Sequence, residues 1–192
     1  MSTRSKLFEI ADRQQGFFTT RQAQECGISR SHFHRKLLSG EWIKELRGIY
    51  RLAHYPATDR PELVLWTLWS RDKKDHPQGV WSHDTALDIH DLSDNMPSKM
   101  HMTVPLRFRK QIAIPKAIKL YFASLSKSDI EICQGYRVTT PLRTLLDVIA
   151  EGKISPDLIA QAIREGLRKG ILLLRDVNQT PQLLKYKHEY KI

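Results

Sequence analysis

The stretch that decides the fold is FFTTRQAQECGISRSHFHRKLLSGEWIKELRGIYRL, residues 17–52. It contains two short segments with helical patterning, residues 21–26 and 30–39, and each is followed by a glycine. Ser29 stands where a serine can cap the second of these helices. Two short helices that meet at a glycine turn are typical of a helix-turn-helix.

The residues on either side of this turn complete a small domain. Upstream, residues 5–14 place their apolar side chains on one side of a helix. Downstream, large apolar residues alternate with charged ones around a turn at Arg47–Gly48, which predicts a hairpin. Three helices followed by a hairpin with a basic tip form a winged helix-turn-helix, whose third helix enters the DNA major groove. The sequence therefore predicts a DNA-binding domain over residues 1–53.

The charge distribution supports this assignment. The chain has 31 Lys and Arg against 21 Asp and Glu, a formal net charge of +10. Residues 1–51 hold ten of these basic residues and five of the acidic ones, so about half of the surplus lies in about a quarter of the length. A basic surplus concentrated in one domain indicates a polyanionic partner such as double-stranded DNA.

The remainder of the chain predicts a second, mixed domain. Residues 54–61 carry two prolines among polar neighbours and are interpreted as a connector. Residues 62–178 combine helical and strand patterns, and residues 179–192 form a basic tail that is expected to be loosely attached. The predicted fold class is α+β, with an N-terminal winged helix-turn-helix followed by a mixed α/β domain.

The candidate DNA-binding residues lie on the third helix and the wing. The helix residues are those that do not share the apolar face of Phe33 and Leu37: Ser29, Arg30, Ser31, His32, His34, Arg35 and Lys36. The wing residues are Lys44, Arg47, Gly48 and Arg51. Arginine and lysine donate to phosphates and to guanine edges, and serine and histidine donate or accept at shorter reach. The alternatives are a solvated basic helix face and a plain surface hairpin.

A second group of polar residues invites a catalytic or metal-binding interpretation: Ser82, His83, Asp84, Asp88, His90 and Asp91. Adjacent residues project about 100° apart on a helix, and the side of the helix that carries His83 and His90 also carries Leu87. A core or capping role is therefore favoured. Because the chain also has no Walker A loop, GxGxxG, HExxH or GxSxG motif, we predict no catalytic residue, no metal, no cofactor and no enzymatic activity.

The composition also indicates a cellular setting. Only two cysteines occur, at positions 26 and 133, and the apolar runs are too short to cross a bilayer. These features predict a cytoplasmic protein with no membrane partner.

Three further segments of the chain resemble those of a known family: WSHDTALDIHDLSDNMPSKMHMTVP (81–105), GYRVTTPLRTLLDVIA (135–150) and AIREGLRKGIL (162–172). Together with residues 17–52, they resemble the AbiEi-type antitoxins of type IV toxin-antitoxin (abortive infection) systems. The resemblance implies a transcriptional autorepressor whose winged helix binds inverted repeats in its operator. It also implies that the second domain counteracts a nucleotidyltransferase toxin without forming a stable complex. Lys36 departs from the family pattern, in which an apolar residue is common.

Two other functions stay open. A ligand-responsive winged-helix transcription factor would need a deep apolar pocket with convergent polar groups in the mixed domain. A DNA-processing enzyme would need a metal cluster assembled from distant residues.

Overall fold

The computed structural model describes residues 2–93 and 97–192, which fold into a mixed α+β structure, as predicted. Its helices are α1 Thr3–Asp12, α2 Thr20–Glu25, α3 Ser31–Leu38, α4 Pro61–Trp69, α5 His83–Ile89, α6 Pro141–Glu151, α7 Pro156–Arg168, α8 Leu174–Gln179 and α9 Pro181–Glu189. Its strands are β1 Phe17–Thr19, β2 Trp42–Leu46, β3 Ile49–Leu52, β4 Val80–Trp81, β5 Met100–Val104, β6 Ile118–Phe122, β7 Ile130–Ile132 and β8 Arg137–Thr139.

The chain divides into two compact units. The first comprises the chain up to Gly79 together with Ile132–Tyr136, and the second comprises Val80–Glu131 together with Arg137–Ile192. The boundary predicted at residues 54–61 differs from this division, because α4 packs on β1 and β3 and buries its apolar side chains there. The assignment of DNA binding to residues 1–53 and of the antitoxin function to residues 62–178 remains a prediction.

The first unit contains the expected winged helix-turn-helix. Its sheet has the order β1-β3-β2, and both strand pairs are antiparallel. Four aromatic rings fill the space between α3 and the sheet: Phe18, Phe33, Trp42 and Tyr50. The three-residue strand β1 was not predicted from sequence, because it is too short to show an alternating pattern.

The starts of the first three helices in this unit differ from the predictions, by two residues for the first helix and by one for the second and third. The first helix begins at Thr3, because the Ser2 hydroxyl accepts a hydrogen bond from the Ser5 amide. The third helix begins at Ser31, and the Ser29 hydroxyl does not cap it. The Ser29 hydroxyl instead bonds the Ser31 hydroxyl at 2.7 Å.

The second unit is built on a mixed sheet of order β6-β5-β4-β8-β7. Strands β4 and β5 are antiparallel, whereas β5 with β6 and β4 with β8 are parallel. Helices α5, α6 and α7 bury a core that includes Leu87, Leu145 and Ile163. The Thr140 and Ser155 hydroxyls cap α6 and α7, as their positions in the sequence indicate.

The basic tail is not loosely attached, and that expectation is wrong. Pro181 begins helix α9, which places Leu183 and Tyr186 on one side. Leu183 is fully buried in the core of the second unit, and Tyr186 and Ile192 pack against that core. The tail therefore contributes to the stability of this unit.

Among residues 2–93 and 97–192, no helix has the length and apolar character that crossing a membrane requires.

Candidate nucleic-acid interface

Helix α3 presents one apolar face and one polar face. Phe33 is buried in the aromatic core and Leu37 packs beside it, so these two residues fix the orientation of the helix. The side chains predicted to meet DNA on and before this helix point away from its core, and six are exposed: Ser29, Arg30, Ser31, His32, His34 and Arg35. The fold thus presents polar groups suited to base edges and phosphates on one helix face.

Two of the predicted cationic contacts are occupied by carboxylates. The Lys36 ammonium donates to Glu41 at 2.6 Å, and both side chains are partly exposed. The Arg51 guanidinium donates to Glu45 at 2.8 Å and lies over the Phe17 ring. Each pair must open before the cation can reach a phosphate.

The other four cations of the predicted set are available. Within the part of the chain that the structure describes, no carboxylate pairs with Arg30 or Arg35 on α3, or with Lys44 or Arg47 on the wing. All four residues are exposed. Exposed cations without a carboxylate partner are the kind of group that can displace counterions from a DNA backbone.

Residues that follow α4 stabilise the turn of the wing through hydrogen bonds and an ion pair. The Arg71 guanidinium donates to the carbonyl of Gly48 at 3.3 Å and pairs with Asp75 at 2.9 Å. Asp75 in turn accepts a hydrogen bond from the Thr19 hydroxyl. Gly48 has φ +74°, and a Cβ there would lie 2.9 Å from Arg71. We call Thr19, Arg71 and Asp75 the wing clamp.

Sequence reasoning missed both the wing clamp and one exposed residue of α3. The clamp residues lie too far apart in sequence for a local pattern to connect them. Leu38 was overlooked because helical periodicity predicts that a leucine faces the core. It is instead 75% exposed, and it follows His34 and Arg35 by one helical turn.

The second unit contains a compact ionisable cluster. Asp84 on α5, His101 on β5 and Glu151 on α6 bring one potential metal-ligand atom each within 4.8 Å of the others. The Glu151 carboxylate already accepts hydrogen bonds from Lys119, Lys153 and the Tyr121 hydroxyl. Two ammonium groups beside this oxygen repel a cation, so the donor set is poorly suited to a metal as it stands.

Burial and hydrogen bonding together determine the protonation of groups in and beside this cluster. Desolvation lowers the pKa of His83 to about 4, and it also lowers the pKa of His101. Burial opposes ionisation of Glu151, but donors from Lys119, Lys153 and Tyr121 outweigh it and lower the Glu151 pKa to about 2. The imidazoles are therefore neutral near pH 7, beside an ionised carboxylate.

The polar residues that flank and form α5 fall into two groups. His83 stacks on the Tyr121 ring, with centroids 3.6 Å apart, and its backbone has φ +51°. The Ser82 hydroxyl accepts from Thr103 rather than from a helix amide. His90 bonds the carbonyl of Thr139, Asp91 pairs with Lys169, and Asp88 lies partly buried on the same helix. Ser82 and His83 are hydrogen-bonded to each other at 2.9 Å and lie beside the Asp84 cluster, whereas His90 and Asp91 bond elsewhere.

Comparison with known proteins bears on the first unit. Residues 5–53 match the sequence profile of a family described as "Transcriptional regulator, AbiEi antitoxin". The N-terminal domain is similar in sequence to the AbiEi antitoxin family. This match confirms the resemblance over the winged helix-turn-helix, and it supports a role as an antitoxin-type transcriptional regulator.

The remaining comparisons are less informative than the AbiEi match. No curated protein matches the chain in sequence. A crystal structure of the RV2827C protein from Mycobacterium tuberculosis is 12% identical, covers 84% of this chain and 71% of its own, and has a TM-score of 0.46.

Proposed function

We propose that the protein is a DNA-binding antitoxin that represses its own operon and counteracts a nucleotidyltransferase toxin. The observation that carries the proposal is the AbiEi-type winged helix over residues 5–53, which exposes a basic helix face and a basic wing. The preferred partner is a double-stranded operator with inverted repeats, because paired half-sites match two copies of such a domain.

In this proposal α3 reads bases and the wing binds the backbone. Arg30 and Arg35 donate to guanine edges or phosphates, and Ser31 and His34 supply shorter contacts. The exposed Leu38 methyl groups suit contact with a thymine methyl group. Lys44 and Arg47 bind phosphates, and the wing clamp fixes the position of the turn that carries Arg47.

The predicted DNA contacts differ in whether an existing ion pair must break before DNA can bind. Arg30, Arg35, Lys44 and Arg47 can bind DNA without losing an ion pair within residues 2–93 and 97–192. Lys36 and Arg51 must exchange a carboxylate for a phosphate. We also retain Ser29, His32 and Gly48 as predicted contacts, because each can approach the DNA phosphate backbone closely.

A reporter driven by the DNA upstream of the gene tests the repressor role. Full-length protein should lower its expression, and Arg35→Ala with Arg47→Ala should restore it. Arg13→Ala is the matched control, because Arg13 is an exposed cation at the end of α1 that lies outside the predicted interface. Equal repression by the double variant would contradict the proposed interface.

Co-expression with an adjacent nucleotidyltransferase tests the antitoxin role. The repression-defective double variant should still protect growth when expressed from an unrelated promoter, because we assign neutralisation to the second unit. Affinity purification should recover no stable complex. Failure of the wild-type protein to protect would favour the alternative, a ligand-responsive transcription factor.

A further inference from the structure

A groove of about 700 Å³ crosses the surface of the first unit between α1, α3 and the end of β3. This volume lies in the range of small-molecule sites. The predicted DNA contacts His32, Arg35 and Lys36 form part of its wall. The groove therefore shares three residues with the predicted interface.

The floor of the groove is apolar. It is formed by Leu7, Ile28 and Trp42, which belong to the core of the unit. The exposed ring of Phe8 and the ring of Tyr55 form one end, with centroids 6.5 Å apart. The Tyr55 hydroxyl donates to the Asp12 carboxylate at 2.9 Å, which fixes this end of the groove. A flat apolar ring system would be desolvated on these surfaces.

The rim of the groove is positively charged. Arg4, Arg35 and Lys36 line it, and its single carboxylate, Glu41, is neutralised by Lys36. The hydrogen bond from Lys36 lowers the pKa of Glu41, and the charge of Arg4 adds to this effect, so Arg4 acts on the same rim. In the described chain, no carboxylate pairs with Arg4 or Arg35. The guanidinium groups of Arg4 and Arg35 are therefore available to bind an anion.

We propose that this groove binds a small amphipathic anion, with an aromatic body on the apolar floor and a carboxylate or sulfonate against Arg4 and Arg35. Guanidinium pairs with carboxylates through two parallel hydrogen bonds, which gives the rim its preference for an anion. Because Arg35 also belongs to the predicted DNA interface, a bound anion competes with the operator. The competition with operator DNA rests on the proposed function, whereas the anion-binding site does not.

Calorimetry of the full-length protein with 1-naphthoate and the neutral 1-naphthylmethanol tests the site. Naphthoate should bind with one site per chain and at least tenfold more tightly than the alcohol. Arg4→Gln should weaken naphthoate binding about tenfold, whereas the matched variant Arg13→Gln should leave it unchanged. Equal affinity for the two compounds, or equal losses in the two variants, would overturn the proposal.

A second measurement separates the site from its regulatory consequence. Saturating operator DNA should weaken naphthoate binding to the wild-type protein. If the protein binds naphthoate as described but binds no DNA, the groove stands and the proposed function fails. If it binds DNA and not naphthoate, the groove proposal fails alone. Concentration-dependent dimerisation that blocks naphthoate would overturn the small-anion assignment in favour of a second copy of the chain.

Discussion

At the scale of single residues, ion pairing separates side chains that the sequence alone presents as equivalent. Lys36 and Arg47 are both basic residues of the predicted interface, but within residues 2–93 and 97–192 only Lys36 of the two has a carboxylate partner close by. An exposed ion pair contributes about 0–1 kcal/mol to stability, so such a pair can open at modest cost. The unpaired cations do not bear even this cost, so each should contribute somewhat more to phosphate binding than a paired one.

The wing offers a direct comparison of two arginines. Arg47→Gln removes an unpaired charge, and it should lower the slope of log affinity against log salt by about one unit. Arg51→Gln should lower the slope less, because the wild-type guanidinium is already neutralised by Glu45. Fluorescence anisotropy over a salt series measures both slopes. Equal reductions would mean that the Arg51–Glu45 pair opens on DNA.

The buried His83 makes stability depend on pH. Its folded-state pKa is lowered to about 4, whereas the unfolded chain takes up this proton near pH 6.5. The unfolded state therefore binds more protons between these values. The free energy of unfolding should fall on the order of 3 kcal/mol as pH drops from about 6.5 to 4, and His83 should have no effect above that window.

Urea titrations at pH 7.5 and pH 4.5 measure this dependence. His83→Asn is the matched variant, since asparagine tolerates the positive φ of this position better than most residues. The variant should show a smaller loss of stability at low pH, with the remainder reflecting the similarly buried His101. The same loss in both proteins would contradict the assignment to His83.

At the scale of elements, the sequence predicts what local patterns encode. Helix α3 and the hairpin were predicted because Phe33 and Leu37 lie one turn apart and Arg47–Gly48 is a compact turn. Helix α4 was predicted as an element, but its place in the first unit depends on tertiary contacts with β1 and β3. The wing clamp and the Asp84 cluster likewise unite residues from separate elements, so no local signal marks them.

Helix α9, in the basic tail, should stabilise the second unit through Leu183. Leu183→Ala removes a fully buried side chain from the core of the second unit, and it should lower the free energy of unfolding by about 2–5 kcal/mol. Leu174→Ala is the matched control, because half of that leucine is exposed on α8. Denaturant titration measures both changes. Similar small effects would show that the tail is loosely attached after all.

At the scale of the whole molecule, the two units differ in the support for their functions. The first combines an AbiEi-type sequence match with a winged helix that exposes unpaired cations. The second has a core of its own and an internally neutralised cluster around Glu151, and the antitoxic role that we propose for it rests only on the resemblance of its sequence segments. The central claim is therefore that the first unit binds DNA through α3 and the wing.

The salt dependence of binding to the upstream DNA tests this claim most directly. Four unpaired cations, Arg30, Arg35, Lys44 and Arg47, predict a slope of log affinity against log salt of roughly −3 to −4 for each bound protomer. The slope should become shallower by about one unit when Lys44 or Arg47, which we assign to phosphates, is replaced by glutamine, and by up to one unit for Arg30 or Arg35. Binding that is insensitive to salt, or a slope unchanged by all four replacements, would contradict the account.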